Sequence, residues 1–260
     1  MRRGRGRADH PCMTTARTPL DAATAVLHRP VLPAGDDERF VGFGVMGLPF
    51  ASGHYLALRQ FPATSFSPGY RSVWHRDPRG AWTFYATTPG PQSCARFFSA
   101  ATRHDAVQCD IDVAWVTPWS LFVAIPGLLA WQIDLQATWS TRLMSAVGAR
   151  LPARVWTNRA ALAVLGRIAG PTLGAGRIRL AGTAPNGQRF MIAPARVWAV
   201  GHSRAVLREV DLGPIGPLRP QARLGGFRPP QRGVFAVGSG HFDAFDAGRH
   251  EAVRRTATIG

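Results

Sequence analysis

The sequence predicts a mainly β protein, an antiparallel barrel or open sandwich, with a helical hairpin inserted between its strands. Three observations predict it. Gly (28) and Pro (21) are plentiful, which suits many turns between short strands better than a helical bundle. Several segments alternate apolar and polar residues with the period of a half-buried strand. One stretch, 139–170, switches to helical spacing. With 46% hydrophobic residues the chain of 260 can bury a substantial core, so it is not a disordered polymer.

Residues 1–39 read as an extended or disordered tail, and 40–255 as one β-rich domain. Four arginines lie within Met1 to Arg7, as at the start of an export signal, but Ala8-Asp9-His10-Pro11-Cys12 follows where an apolar run belongs. Met13 therefore competes with Met1 as the true start. Strands are expected from Phe40 onward, at 40–48 and 53–60.

Two hairpins can be placed with a mechanism. In Asp77-Pro78-Arg79-Gly80, Pro suits the first corner of a type I turn and Gly the left-handed position after it. That loop sets Asp77 against Ala81, Trp74 against Phe84 and Arg76 against Trp82, close enough for a cation–π contact. Ala184-Pro185-Asn186-Gly187 repeats the form. It sets Leu180 opposite Ile192, with Ile178 and Phe190 on the same face and Arg177, Arg179 and Arg189 on the other.

Between the hairpins, 107–115 and 129–136 alternate cleanly, and shorter strands fit 121–125, 196–200, 203–208 and 232–237. The helical insert begins after the caps Thr138 and Ser140 and carries Leu143, Met144, Val147 and Leu151 on one stripe. A second helix starts at Asn158, carries Leu162, Leu165 and Ile168, and stops at Gly170-Pro171. The longest apolar run, Leu121 to Trp131, is interrupted by Pro126 and Gly127, so it is too short for a membrane span.

The formal charge is +16, and all 31 basic residues are arginine. A GC-rich genome explains arginine in place of lysine but not the excess of cations. The acids are unevenly placed: ten lie at or before Asp134, five at or after Glu209, and none between. Eleven arginines fall in that acid-free window, 135–208. Arg142, Arg150, Arg154, Arg159 and Arg167 lie beside the apolar stripes of the insert, a composition shared with helices that rest on anionic membranes. They are the candidate anion-binding residues.

Chemical motifs are sparse. Asp110, Asp112 and Asp134 would be neighbours on one sheet face if their strands pair, and paired carboxylates can divide acid and base roles. They alternate with Ile111, Val113, Ile133 and Leu135, however, so they should point away from the core. His75, set among strand aromatics, is the remaining catalytic candidate. No metal-ligand spacing, nucleophile elbow or phosphate loop is present, and no cofactor is implied. The three cysteines fit reduced thiols, with a Cys94–Cys109 disulfide as the alternative. Eight tryptophans invite either dense core packing or a lined pocket. Trp74, Trp82, Phe84, Trp115 and Trp131 are the candidate ligand-binding set.

At Tyr70-Arg71-Ser72-Val73-Trp74-His75 with Trp82-Thr83-Phe84-Tyr85, and at Gly176-Arg177 through Pro185-Asn186-Gly187-Gln188-Arg189-Phe190, the chain resembles uncharacterised proteins of GC-rich actinobacteria. Its aromatic strand–turn–strand pieces more distantly resemble lipocalin-like barrels, including the carotenoid-hydratase type. That resemblance implies a barrel or half-barrel around an apolar ligand. The chain lacks the Gly-x-Trp start of a lipocalin first strand, so no functional residue is carried over.

The expectation is thus a cytoplasmic or membrane-peripheral protein that binds an apolar or amphipathic small molecule, lipid- or isoprenoid-like, with a basic surface for an anionic group or membrane. The alternatives are a hydratase- or isomerase-type enzyme on the same scaffold, which needs one of Asp110, Asp112, Asp134 or His75 to open into the cavity, and an arginine-rich nucleic-acid binder. Nucleic acid is the least favoured partner, because the aromatics lie mostly before residue 135 and the basic excess after it.

Overall fold

The computed structural model describes residues 18–102, 106–253 and 256–258. The arginine-rich start, Cys12, Met1 and Met13 lie outside them. The stretch expected to be a tail carries a helix, α1 (Pro19–His28). Thr18 caps it, accepting from the Asp21 amide at 3.2 Å while Asp21 accepts from the Thr18 amide at 2.9 Å, and Pro19 opens the first turn. Ala22, Ala23 and Val26 of α1 are buried in the core.

The first half of the sheet comprises β1 (Glu38–Val45), β2 (Leu48–Pro49), β3 (Tyr55–Thr64), β4 (Pro68–Arg76) and β5 (Trp82–Ala86). A short helix, α2 (Ala95–Phe98), separates it from β6 (Ala106–Gln108), β7 (Asp112–Thr117), β8 (Ser120–Ile125) and β9 (Leu129–Gln136). The expected strand 107–115 is thus split, with buried Ile111 at the break. The insert follows as α3 (Trp139–Arg150), α4 (Ala153–Trp156) and α5 (Arg159–Thr172). The chain closes with β10 (Ala181–Thr183), β11 (Arg189–Leu207), β12 (Val210–Asp211), β13 (Val234–Phe242) and β14 (Thr256–Thr258). Thr138 and Asn158 cap α3 and α5 through their side chains.

Among the described residues these strands form one sheet of fourteen, ordered β14-β6-β5-β4-β3-β1-β13-β11-β9-β8-β7, with β2, β10 and β12 paired beside the path. The path has two ends: the sheet is open, not a closed barrel. Pairing is antiparallel except for β14 with β6 and β5 with β6. Both hairpin registers hold. Trp74 faces Phe84, Arg76 faces Trp82, and the Asp77 amide donates to the Ala81 carbonyl at 2.9 Å. Thr183 faces Arg189, and the Ile192 amide donates to the Leu180 carbonyl at 2.7 Å.

The long strand β11 bends the sheet. Its first part pairs with β13 and its second with β9, with register shifts at Pro194–Arg196 and Val200–His202. The sheet curls so far that Trp115 of β7 meets Phe235 of β13, ring centroids 5.8 Å apart, although three strands separate them. Inside this curl lies one core: Phe43, Leu56, Leu58, Val73, Tyr85, Leu121, Trp131, Ile133 and Phe235, with α1 against them. Period-2 alternation puts the other side chains of β1 and β3–β5 on the outer face. There Tyr55, Phe61, Tyr70, Trp74, Trp82 and Phe84 form a second core with Phe97 and Phe98 of α2.

That topology overturns the single aromatic lining. Trp115 and Trp131 belong to the inner core, whereas Trp74, Trp82 and Phe84 lie on the outer face. Alternation tells which residues share a face within one hairpin. It does not relate the faces of distant hairpins. No helix among the described residues is long and apolar enough to cross a membrane.

Candidate functional site: an apolar cavity with a buried arginine

A cavity of about 210 Å³ lies on the outer face of the sheet, between the aromatic cluster and the helical insert. A single water needs only about 10–15 Å³ by the same measure, so this is far more than a packing defect. Phe61, Tyr70, Trp74, Phe97 and Phe98 form one wall. Met144 and Gly148 of α3 and its C-cap Leu151, with Leu165 and Ala169 of α5 and its C-cap Leu173, form the opposite one. The α3 wall is pinned to β11 by Ser145, whose hydroxyl accepts from the Val197 amide at 3.0 Å.

The floor is glycine where β1 meets β13. Gly42 and Gly238 are direct partners and both line the cavity. A Cβ at Gly42 would sit 2.1 Å from the Gln60 carbonyl oxygen, and one at Gly238 would sit 2.3 Å from that of Ala193. Neither strand can carry a side chain there without moving its neighbour. The hairpin residues Ile178, Leu180, Phe190 and Ile192 complete the wall, as their shared face requires.

One cation is buried in this apolar setting. Arg59 is 7% exposed and stands on β3 in phase with Tyr55, Ala57 and Phe61. Its Nη1 donates to the carbonyls of Val45 (2.7 Å) and Leu58 (2.8 Å), and Nη2 to that of Met46 at 3.3 Å. Its guanidinium carbon lies 4.7 Å from the Trp74 ring centroid. No carboxylate pairs with it among the described residues. Burial lowers its pKa, opposed by the neighbouring Cys94, Tyr55 and Tyr70 groups.

Around Arg59 the polar groups are chiefly donors or neutral. The Tyr70 hydroxyl and Cys94 sulfur lie 3.1 Å apart, and burial raises both pKa values, holding them protonated. The indole N–H of Trp74 is buried with no hydrogen bond of full geometry; it lies near the Cys94 sulfur, whose pKa it lowers against the larger effect of burial. Among the described residues no Asp, Glu or His lines the cavity. The sequence has no lysine, so no side-chain amine is present to form a Schiff base. Further arginines, Arg179, Arg196 and Arg228, line its more exposed parts. The Arg228 pKa is lowered first by Arg223, then by burial, with Arg177 and Arg179 adding.

Of the candidate catalytic, ligand-binding and anion-binding residues named from the sequence, Trp74 alone is among those lining this cavity. Trp82 is buried below it and donates to the Arg223 carbonyl at 2.7 Å, and Phe84 stacks edge-on against Trp74. Arg76, expected on Trp82, donates instead to the carbonyls of Gly53 and Asp77. Trp131 donates to the Ser203 hydroxyl at 2.8 Å within the other core. The acids do not converge. β8 lies between β7 and β9, which separates Asp112 from Asp134. Asp110 and Asp112 are exposed, and Asp134 accepts from Ser120 at 2.6 Å beside His202. His75 hydrogen-bonds His54 at 2.9 Å, and burial first, then His54, depresses its pKa to about 4. Cys94 and Cys109 are free thiols.

The insert arginines Arg142, Arg150, Arg154, Arg159 and Arg167 are exposed, and none forms an ion pair among the described residues. Elsewhere in the acid-free window, Arg189 pairs with Asp243 and Arg204 with Asp211. The apolar stripes of the insert divide. Met144, Val147 and Leu151 line the cavity, Val147 at its exposed edge, whereas Trp139, Leu143, Val164 and Ile168 are 46–74% exposed and do not.

Fold and site together define an open β-sheet protein with an apolar cavity on one face and a basic helical wall. No protein-family model matches the chain, and no curated protein does. It is similar to a solved acetoacetate decarboxylase from Legionella pneumophila, with 9% identity over 86% of this chain and 89% of that one, at a TM-score of 0.39. A second structure of acetoacetate decarboxylase shows 8% identity over 88% and 93%, at a TM-score of 0.40. Neither lends a residue or an activity to this chain.

Proposed function

We propose that the protein binds an apolar or amphipathic small molecule, lipid- or isoprenoid-like, in the cavity between the sheet and the helical insert. The carrying observation is the cavity itself: apolar walls, a floor at Gly42 and Gly238, and one buried cation with no carboxylate partner among the described residues. Binding is favoured over hydratase or isomerase chemistry because Asp110, Asp112, Asp134 and His75 all lie away from it, and the thiol and phenol inside are held protonated. A cavity of this kind also favours a small ligand over nucleic acid.

The partner on the outside is an anionic membrane surface. Trp139 and Leu143 follow one another at helical spacing on the exposed side of α3, and Val164 with Ile168 do so on α5. Unpaired arginines flank both helices, complementing negative lipid head groups. The same helices wall the cavity, so contact with lipid would bring a membrane-derived ligand to its rim.

The test is saturable binding of a neutral apolar dye to purified protein, with native mass spectrometry of any co-purifying molecule. Wild type should bind the dye. Ala236→Phe, which fills the cavity from β13, should lose it while keeping its circular dichroism spectrum. Equal dye binding by the two proteins, or none by wild type, would refute the cavity reading.

A further inference from the structure

Arginine carries five N–H donors in a planar fork. Arg59 uses three on carbonyls of the β1–β3 region, which leaves its Nε–H and one Nη2–H without an acceptor among the described residues. Those two donors lie on one edge of the guanidinium, the geometry that meets both oxygens of a carboxylate. The Trp74 indole N–H beside it is a further buried donor, engaged at most weakly by the Cys94 sulfur. A buried cation without a counter-charge is costly, and an anion seated against it offsets that cost.

We propose that the inner end of the cavity recognises a carboxylate: Arg59 receives the head group of an apolar monocarboxylic acid, with the Trp74 N–H as additional donor. The inference rests on the cavity being a ligand site. The tail then lies among Phe61, Phe97, Met144 and Leu165. Carboxylate suits the site better than phosphate, because the donors form one planar fork and no second arginine is buried with Arg59. The opposite polarity, with the acid group at the rim, would place it near Arg228 and Arg179.

The experiment compares dodecanoic acid with dodecanol as competitors for the neutral dye N-phenylnaphthylamine on the full-length protein. A hydrogen bond to a charged group contributes roughly 1.5–3 kcal/mol, so the acid should compete at least about tenfold better. Arg59→Met should bring acid and alcohol level while the dye still binds, and Arg228→Gln should leave the preference intact. Carbon NMR of carboxyl-labelled dodecanoic acid should show the bound head group staying ionised at a pH where the free acid is protonated. That measurement and a Trp74→Phe variant with weakened preference test the idea even if Arg59→Met fails to fold. Equal competition in wild type, a preference surviving in Arg59→Met, or one lost only in Arg228→Gln would overturn the Arg59 assignment while the cavity reading stands. Absence of dye binding would overturn both.

Discussion

The His54–His75 pair should make the fold acid-sensitive in a narrow range. His75 is 8% exposed, stacked on His54 with ring centroids 5.2 Å apart, and faces Asp77 and Arg208 as its other charged neighbours. Its pKa falls from 6.5 to about 4 on folding, so the unfolded chain binds the proton more tightly. Stability from neutral His75 is therefore complete above pH 6.5 and is lost as pH falls toward 4. The full shift corresponds to roughly 3 kcal/mol, and about 2 kcal/mol of it should disappear between pH 7 and pH 5 by proton linkage. Urea unfolding of wild type and His75→Gln at those two pH values checks this. The variant loses stability at pH 7, but its decline from pH 7 to pH 5 should be smaller by about that 2 kcal/mol. Equal declines in the two proteins would refute the assignment of a neutral, buried His75.

Other consequences are as direct. Arg154→Gln combined with Arg159→Gln should weaken co-sedimentation with phosphatidylserine vesicles by about thirtyfold, since each juxtaposed cation contributes roughly 1 kcal/mol. Binding should leave phosphatidylcholine vesicles aside, and equal pelleting with both lipids would refute the electrostatic account. Gly42→Ala should destabilise by about 1–3 kcal/mol in denaturant titration, because its Cβ meets the backbone of β3 and not a movable side chain. Glu38→Gln should lose roughly 2–3 kcal/mol in the same assay. It breaks a half-buried pair in which Arg96 donates to Glu38 through Nε at 2.9 Å and Nη2 at 2.6 Å, while Gln188 donates at 3.1 Å.

Much of this molecule is written in short-range pattern. Asp77-Pro78-Arg79-Gly80 and Ala184-Pro185-Asn186-Gly187 specify their hairpins, and with them the register of Trp74 on Phe84, because turn type and side-chain period are local properties. Thr138 and Asn158 mark the starts of the insert helices for the same reason. Even α1, expected as tail, had its signal in Thr18-Pro19-Leu20-Asp21. Arg59 was legible too, as an arginine in phase with Tyr55, Ala57 and Phe61, but alternation alone does not say that its face is covered.

Strand order was beyond the sequence. The pairing of β13 with β1 joins segments nearly two hundred residues apart, and nothing local encodes it or the placing of β13 between β1 and β11. That order decides that Trp115 and Trp131 fill one side of the sheet while Trp74 and Trp82 face the other, that β8 keeps Asp112 from Asp134, and that Gly42 meets Gly238 beneath the insert. Turns, caps and alternation are set by neighbours a few residues away, so the chain alone determined them. The cavity and its buried cation arise where distant strands meet, and only the tertiary structure could place them.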